Sequence, residues 1–188
     1  MIEVELKVKV NSSPQLEQLL SSLGAEFLTE EKQWDIYYNS PHRDFRATDE
    51  ALRLRLVYPA GSMKGKSWLT YKGPKLDQVS KSREELTLRV DDWGNAQRLL
   101  QSLGFVEVGQ VNKFRKTYRL GKFLISLDEV SKLGNFLEIE SQATGDYSEL
   151  LKEAFSLLEK LGFRRDEIIR ESYLELLKRE EEGQSHHF

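Results

Sequence analysis

Charge and apolarity alternate residue by residue along nearly every extended stretch of this chain, and that alternation limits the folds open to it. Ile2, Val4, Leu6, Val8 and Val10 are separated by Glu3, Glu5, Lys7 and Lys9. Period two puts the two sets on opposite faces of a strand. Leu52, Leu54 and Leu56 likewise flank Arg53 and Arg55, and Phe114 lies between Lys113 and Arg115. Ile125 and Leu127 alternate with Ser126 and Asp128, and Leu137 and Ile139 with Glu138 and Glu140; Thr70 shares a face with Lys72, and Arg83 with Glu85. Strands are predicted over the first ten residues and at 33–39, 51–58, 67–73, 82–90, 107–119, 122–130 and 135–142.

Punctuation supports this parsing. Pro59–Lys66, with Gly61 and Gly65, reads as a loop; Gly73-Pro74 is expected to end a strand, and Leu120-Gly121-Lys122 to make a tight hairpin. Asn11-Ser12-Ser13-Pro14 reads as a helix start capped by Ser12 or Ser13, followed by the stripe Leu16, Leu19, Leu20, Leu23 and a terminating Gly24. Shifted by 80 positions, Glu5, Leu6, Val10, Leu19, Leu20, Ser22, Leu23 and Gly24 fall on Glu85, Leu86, Val90, Leu99, Leu100, Ser102, Leu103 and Gly104, and Tyr38 falls on Tyr118. A looser third copy runs from Glu138 to Phe163. Each copy is a strand followed by a helix ending in Leu-Gly, an internal structural repeat. Residues 1–188 are read as one domain, with 165–188 a C-terminal helix and tail: helical over Glu167–Glu182, frayed from Gly183 to Phe188. His186-His187 is assigned to that tail and not to a metal site.

An antiparallel strand ordinarily turns its polar face to water. Here the polar faces together carry eight bases (Lys7, Lys9, Arg53, Arg55, Lys72, Arg83, Lys113, Arg115) and six acids (Glu3, Glu5, Glu85, Asp128, Glu138, Glu140). About eight strands with helices to cover one side predict an α+β fold, an eight-stranded antiparallel β-barrel with its apolar side outward under helices. Such a barrel encloses a lumen wide enough for one small ligand. Facing cations repel at reduced dielectric unless a multiply charged anion neutralises them, and Arg forks and Lys point charges suit phosphate. Carboxylates in pairs are hard oxygen donors for Mg²⁺ or Mn²⁺. The other reading is that acids and bases pair across the lumen.

Net charge is −3, so no bulk field favours nucleic acid or an anionic membrane. Trp34, Trp68 and Trp93 do not interleave with the basic positions as a stacking platform would; they are expected to pack under helices. The chain has no cysteine, which excludes disulfides and thiolate sites and suits a reducing compartment. With no leader-like start and no apolar run near the roughly 20 residues of a membrane span, a cytoplasmic protein is expected.

The residues resemble the CYTH superfamily, which includes class IV adenylyl cyclases and thiamine triphosphatases. Its ExExK signature is met by Glu3-Val4-Glu5-Leu6-Lys7, and further motifs follow in order: Asp35-Ile36-Tyr37-Tyr38, Leu52-Arg53-Leu54-Arg55, Lys72, Arg83-Glu84-Glu85, Lys113-Phe114-Arg115, Leu127-Asp128 and Gly134 through Glu140. The resemblance implies an eight-stranded antiparallel triphosphate tunnel. It implies triphosphate binding by Arg53, Arg55, Lys72, Arg83, Lys113 and Arg115, and a metal set of Glu3, Glu5, Asp128, Glu138 and Glu140 holding Mg²⁺ or Mn²⁺. Lys7 with Tyr37 resembles the pair that assists water attack in some hydrolases, and Glu85 resembles a residue of the cyclase pattern. Tyr38 through Phe45, then Thr48 through Arg53, resemble class IV cyclases in particular. The expected function is an adenylyl cyclase-like conversion of ATP to cyclic AMP and pyrophosphate. A hydrolase of inorganic or organic triphosphate and a non-catalytic triphosphate- or polyphosphate-binding module are the alternatives. The expected partner is a nucleoside triphosphate or inorganic triphosphate, without nucleic acid or membrane, and a homodimer is left open.

Overall fold

The computed structural model describes residues 1–11 and 13–185. Its eight strands are β1 (Ile2–Val10), β2 (Glu26–Asn39), β3 (Ala51–Pro59), β4 (Lys66–Lys75), β5 (Arg83–Val90), β6 (Val106–Leu120), β7 (Phe123–Val130) and β8 (Gly134–Ala143). They close into a barrel in the order β1-β5-β4-β3-β2-β6-β7-β8, every pair antiparallel. The alternation therefore resolves as expected, with Leu6, Val8, Leu54, Ile125, Leu137 and Ile139 buried outside the ring beneath helices.

The repeat is a true one. Exchanging β1–β4 with β5–β8 returns the same ring, and the pairings follow suit: Arg55 stands opposite Asp35 as Asp128 stands opposite Arg115. The helices after β1 and β5, α1 (Ser13–Ser22) and α2 (Trp93–Ser102), bury the equivalent residues Leu20 and Leu100. Both stop at a glycine in the left-handed region, Gly24 at φ +79° and Gly104 at φ +85°. After it, the amide of Ala25 returns to the Leu20 carbonyl at 2.9 Å and that of Phe105 to Leu100 at 3.0 Å. The third copy repeats only the strand–helix unit, β8 with α3 (Ser148–Lys160). Gly121-Lys122 forms the expected two-residue hairpin between β6 and β7.

Several boundaries differ from expectation. β2 starts at Glu26 instead of 33, because its irregular first turns pair with the far end of β6 through a bulge between Phe27 and Thr29. β4 does not stop at Gly73-Pro74 but runs to Lys75 with a register shift after Lys72. The helix expected from Glu167 starts only at Tyr173, as α4 (Tyr173–Ser185); Arg165–Glu167 is a 3₁₀ turn, and an extended strap joins the two. Ser12 and His186-His187 lie outside the described residues. Trp34 packs on Trp93 of α2 at 5.9 Å between ring centroids. Trp68, expected under a helix, stands opposite Arg55 on the lumen-side face.

Three apolar clusters result. One lies beneath α1 and α3, one beneath α2, and the third closes one end of the lumen. There Tyr37, Val111, Val130 and Phe136, on the lumen side of their strands, receive Tyr173, Leu176 and Leu177 of α4. Gly109 admits this helix, since a Cβ there would sit 2.5 Å from Leu174 Cδ1. No helix among the described residues is long and apolar enough to cross a membrane.

Candidate active site

Strand parity places the odd-numbered charged residues of β1, β2, β3, β5 and β6 and the even-numbered ones of β4, β7 and β8 on one face of the sheet, and those away from the strand ends enter one lumen. A cavity of about 470 Å³ occupies it, opening between the β2–β3 loop and α4. Glu3, Glu5, Tyr37, Arg53, Arg55, Lys72, Arg83, Lys113, Arg115, Glu138 and Glu140 all reach its wall. Lys7, Glu85 and Asp128 stand behind it.

On one side the cations are sparsely matched. Arg55 Nε and Nη2 hold Asp35 in a two-pronged pair at 2.6 and 2.7 Å. Burial raises the Asp35 carboxyl, yet Arg55 and Arg53 outweigh it and keep the group well below the usual range. Lys72 Nζ lies 3.1 Å from Glu3 and also contacts Glu85. Against its burial, Lys72 draws Glu3 down to about 2, while burial and the neighbouring Glu3 push Glu85 up to about 7. Arg53 has no ion pair among the described residues, and its buried Nε has no hydrogen-bond partner. Arg83 is buried with only the Gly73 carbonyl, 3.3 Å from Nη1.

On the other side the charges are saturated. Asp128 accepts from Arg115 Nε and Nη2 at 2.6 Å each, Lys113 Nζ at 3.0 Å and Tyr173 OH at 2.9 Å. Arg115 also reaches Glu138, and Glu140 at 3.4 Å. Burial and the adjacent Arg115 lower Lys113 to about 8. Glu140 stands directly opposite Glu5 across β1 and β8. Burial, with Glu3, Glu138 and Glu5 nearby, pushes it up to about 8.

Acids and bases thus pair across the lumen, the reading set beside anion capture above, while among the described residues Arg53 and Arg83 at the cavity wall form no ion pair. Lys9 is exposed, 5.9 Å from the Phe136 ring, and is no part of the cluster. Three participants had no role in the sequence reading. Asp35 sits in a quoted motif and shares the parity of Gln33 and Tyr37. Lys81 precedes β5 at odd parity, as Arg83 and Glu85 do, and contacts Glu5, with Glu138 at 4.0 Å. Tyr173 arrives from the C-terminal segment and carries no sequence signal of its place. Lys7 is sealed beneath that segment: its Nζ donates to the Glu171 carbonyl and lies 4.2 Å from the Tyr173 ring centroid. Burial and Lys81 depress its ammonium strongly.

Among the described residues no three acidic or histidine side chains already converge as a metal site. The donor chemistry nevertheless fits a hard divalent cation. Glu5 and Glu140 face each other as carboxyl groups, an arrangement that disfavours ionising both and that a cation relieves. Asp128 fits less well, since both its oxygens are already engaged.

The CYTH domain family matches residues 1–173. A Methanocaldococcus jannaschii protein named provisionally as an adenylate cyclase is 40% identical over 178 residues, 94% of this chain and 98% of its own. The adenylate cyclase CyaB of Aeromonas hydrophila is 25% identical over 91% of this chain and 86% of its own. A solved Pyrococcus horikoshii protein superposes with a TM-score of 0.86 at 39% identity, covering 95% of this chain and 99% of that one.

Proposed function

The chain belongs to the CYTH domain family, and from that premise we propose that it converts ATP to 3′,5′-cyclic AMP and pyrophosphate in the lumen, with Mg²⁺ or Mn²⁺. One observation carries the triphosphate: Arg83, buried, and Arg53, half-buried with a buried and unpartnered Nε, form no ion pair among the described residues. A buried cation is stable only with a counter-charge, and planar N–H forks select phosphate oxygens. Lys72 can join them by exchanging Glu3 or Glu85 for phosphate. The organic half is supported by the cavity's extension past these bases to Leu52, Val108 and Leu174, apolar surface that a bare polyphosphate would not use.

Arg53, Arg83 and Lys72 then hold the β- and γ-phosphates, while Arg55, fixed by Asp35, and Arg115, fixed by Asp128, line the path. Glu3, Glu5, Glu138 and Glu140 would hold the metal, and Asp128 would join them only on releasing a present donor. When bound, the metal neutralises phosphate charge and makes the attacking hydroxyl more acidic. The ribose 3′-oxygen forms a bond to the α-phosphorus, the bond to the β-phosphate oxygen breaks, and pyrophosphate departs carrying the proton that the 3′-hydroxyl gives up. Of Lys7 and Tyr37, the pair that resembles the water-assisting residues of some hydrolases, Tyr37 faces the cavity; Lys7 takes part only when Glu171 is displaced.

Purified protein incubated with ATP and Mn²⁺, then with tripolyphosphate, decides the reaction by product mass. Cyclic AMP with pyrophosphate is expected. Phosphate from tripolyphosphate without cyclic product would make the protein a hydrolase, and no turnover of any triphosphate a binding module.

A further inference from the structure

One ammonium in the lumen does not come from a strand. Exchanging the halves of the barrel sets Glu140 at the position of Lys72, so the β1–β8 side carries an acid where the other side carries a cation. Lys81 makes up the difference. Its Nζ donates to Glu5 and lies 4.0 Å from Glu138. Among the described residues it is the one ion-pair partner of Glu5. Residues 76–82, which carry it from β4 to β5, have no counterpart in the repeat, because β8 leads into α3 instead.

That segment is built to deliver the charge. Connections ordinarily run over the surface, but Ser80 and Ser82 are 0% exposed and Lys81 is 7% exposed. Polar groups at that depth need partners, and here they have them. Asp77 accepts from the Ser80 amide and hydroxyl at 2.6 Å each, and the Ser80 and Ser82 hydroxyls bond each other at 2.6 Å. The Leu76 amide closes the loop on the Ser82 carbonyl at 2.8 Å, and the Lys81 amide is tied to the Glu5 carbonyl at 3.0 Å. From the C-terminal strap, Arg170 donates to the Asp77 carbonyl at 2.6 Å and to the Ser80 carbonyl at 3.2 Å.

We propose that Lys81 is a tethered counter-cation: it fills the divalent-metal seat at Glu5 and Glu138, and the metal enters by displacing it. This rests on Glu5 and Glu138 belonging to the metal set proposed above. Both carboxylates are buried, and a buried charge without a counter-charge is strongly destabilising. Lys81 supplies that charge from within the chain and holds the acid side together until a metal arrives. An ammonium and a divalent ion on the same carboxylate would repel each other at reduced dielectric, so the two exclude one another. Lysine suits the task, being a point charge on a flexible four-carbon stem. It can swing into the cavity, whose wall it already reaches, while its backbone stays tied to Glu5. A seat filled about nine-tenths of the time by its own ammonium binds metal about tenfold more weakly than an open one. Lys81 thus sets the metal affinity of the site.

Calorimetric titration of the full chain with Mn²⁺, at about pH 8 and without phosphate, tests this. Lys81→Met should bind Mn²⁺ about tenfold more tightly than the wild type. Its urea midpoint, lowered without metal, should recover when Mn²⁺ is added. Removing a residue that merely supported the fold would weaken the site, not tighten it. Should Lys81→Met fail to fold, Arg170→Gln loosens the same loop from outside the cavity and should raise Mn²⁺ affinity about threefold. An affinity unchanged or lowered in either variant would overturn the role of Lys81 while leaving the metal set standing. No Mn²⁺ binding by any of these chains would remove the metal set and the role of Lys81 with it.

Discussion

The ion pairs Arg55–Asp35 and Arg115–Asp128 occupy equivalent places in the two halves of the barrel, with base and acid exchanged, yet they serve different ends. Asp35 receives one guanidinium, while Asp128 receives Arg115, Lys113 and Tyr173. The neighbouring positions diverge further: Lys72 faces Glu85 in one half, and its counterpart Glu140 faces Glu5 in the other. The backbone therefore supplies two equivalent sets of lumen positions without deciding their charge. One set remains short of anions at Arg53 and Arg83. The other is locked by its own carboxylates and ends where Glu5 and Glu140 face each other across β1 and β8.

The largest test of that contrast removes the anchor of the saturated side. Asp128→Asn leaves Lys113 and Arg115 facing each other without their shared anion. Breaking a buried pair costs about 3–5 kcal/mol, read as a fall in the urea midpoint at pH 7. Asp35→Asn should cost less, because Arg55 lies at the cavity wall and partly reaches water; equal losses would dissolve the distinction. Next in size is the ligand. Tripolyphosphate at about a hundredfold excess over its dissociation constant should stabilise the protein by about 2.7 kcal/mol. No rise in melting temperature, with or without Mg²⁺, would remove the anion-short side altogether.

Arg53→Ala should weaken tripolyphosphate binding by about 1.5–3 kcal/mol, the range of a charge-assisted hydrogen bond, with little loss of fold stability. Arg115→Ala should instead lower stability, since it removes the guanidinium that Asp128 and Glu138 share. Calorimetric titration beside denaturant melts separates the two. The smallest effect is a slope. Glu140 and Glu85, ordinarily near 4.5, keep their protons to about 8 and 7 in the folded chain. Between 4.5 and those values the folded state holds protons that the unfolded state has lost, so stability should fall as pH rises through that window. Glu140→Gln should flatten the melting profile between pH 5 and 9. In the wild type, Mg²⁺ should stabilise increasingly towards and above pH 8. An unchanged slope in the variant would place the titration elsewhere.

Much of this was legible in the chain because a strand's period is an integer. Once β1 is set, Glu3, Glu5 and Lys7 must share a side, and the 80-residue repeat carries the inference to β5 and α2. What escaped depends on residues outside regular strands. Lys81 enters the lumen from a loop aimed by hydrogen bonds among Asp77, Ser80 and Ser82 and clamped by Arg170. Tyr173 reaches Asp128 from 45 positions away. Lys9 has the right parity but lies too near its strand end to be enclosed. The late start of α4 was hidden because Glu167–Ser172 is polar enough to pass as a helical surface, while Ile169 in fact bonds the edge of β1.

The seam between β1 and β8 also governs how the molecule is made. Ile2 pairs with Ala143, 141 positions away, and Glu3 through Val10 pair in register behind it. During synthesis the first strand emerges long before its partner, and the ring cannot close until β8 has left the ribosome. Loop closure over such a span is slow compared with local helix formation, so the opening strand must remain unpaired in the meantime. Its alternating Glu and Lys residues suit that wait, since a strand with a charge at every second position resists pairing with other unfinished chains. The charges that later serve the lumen thus first guard a nascent chain against aggregation.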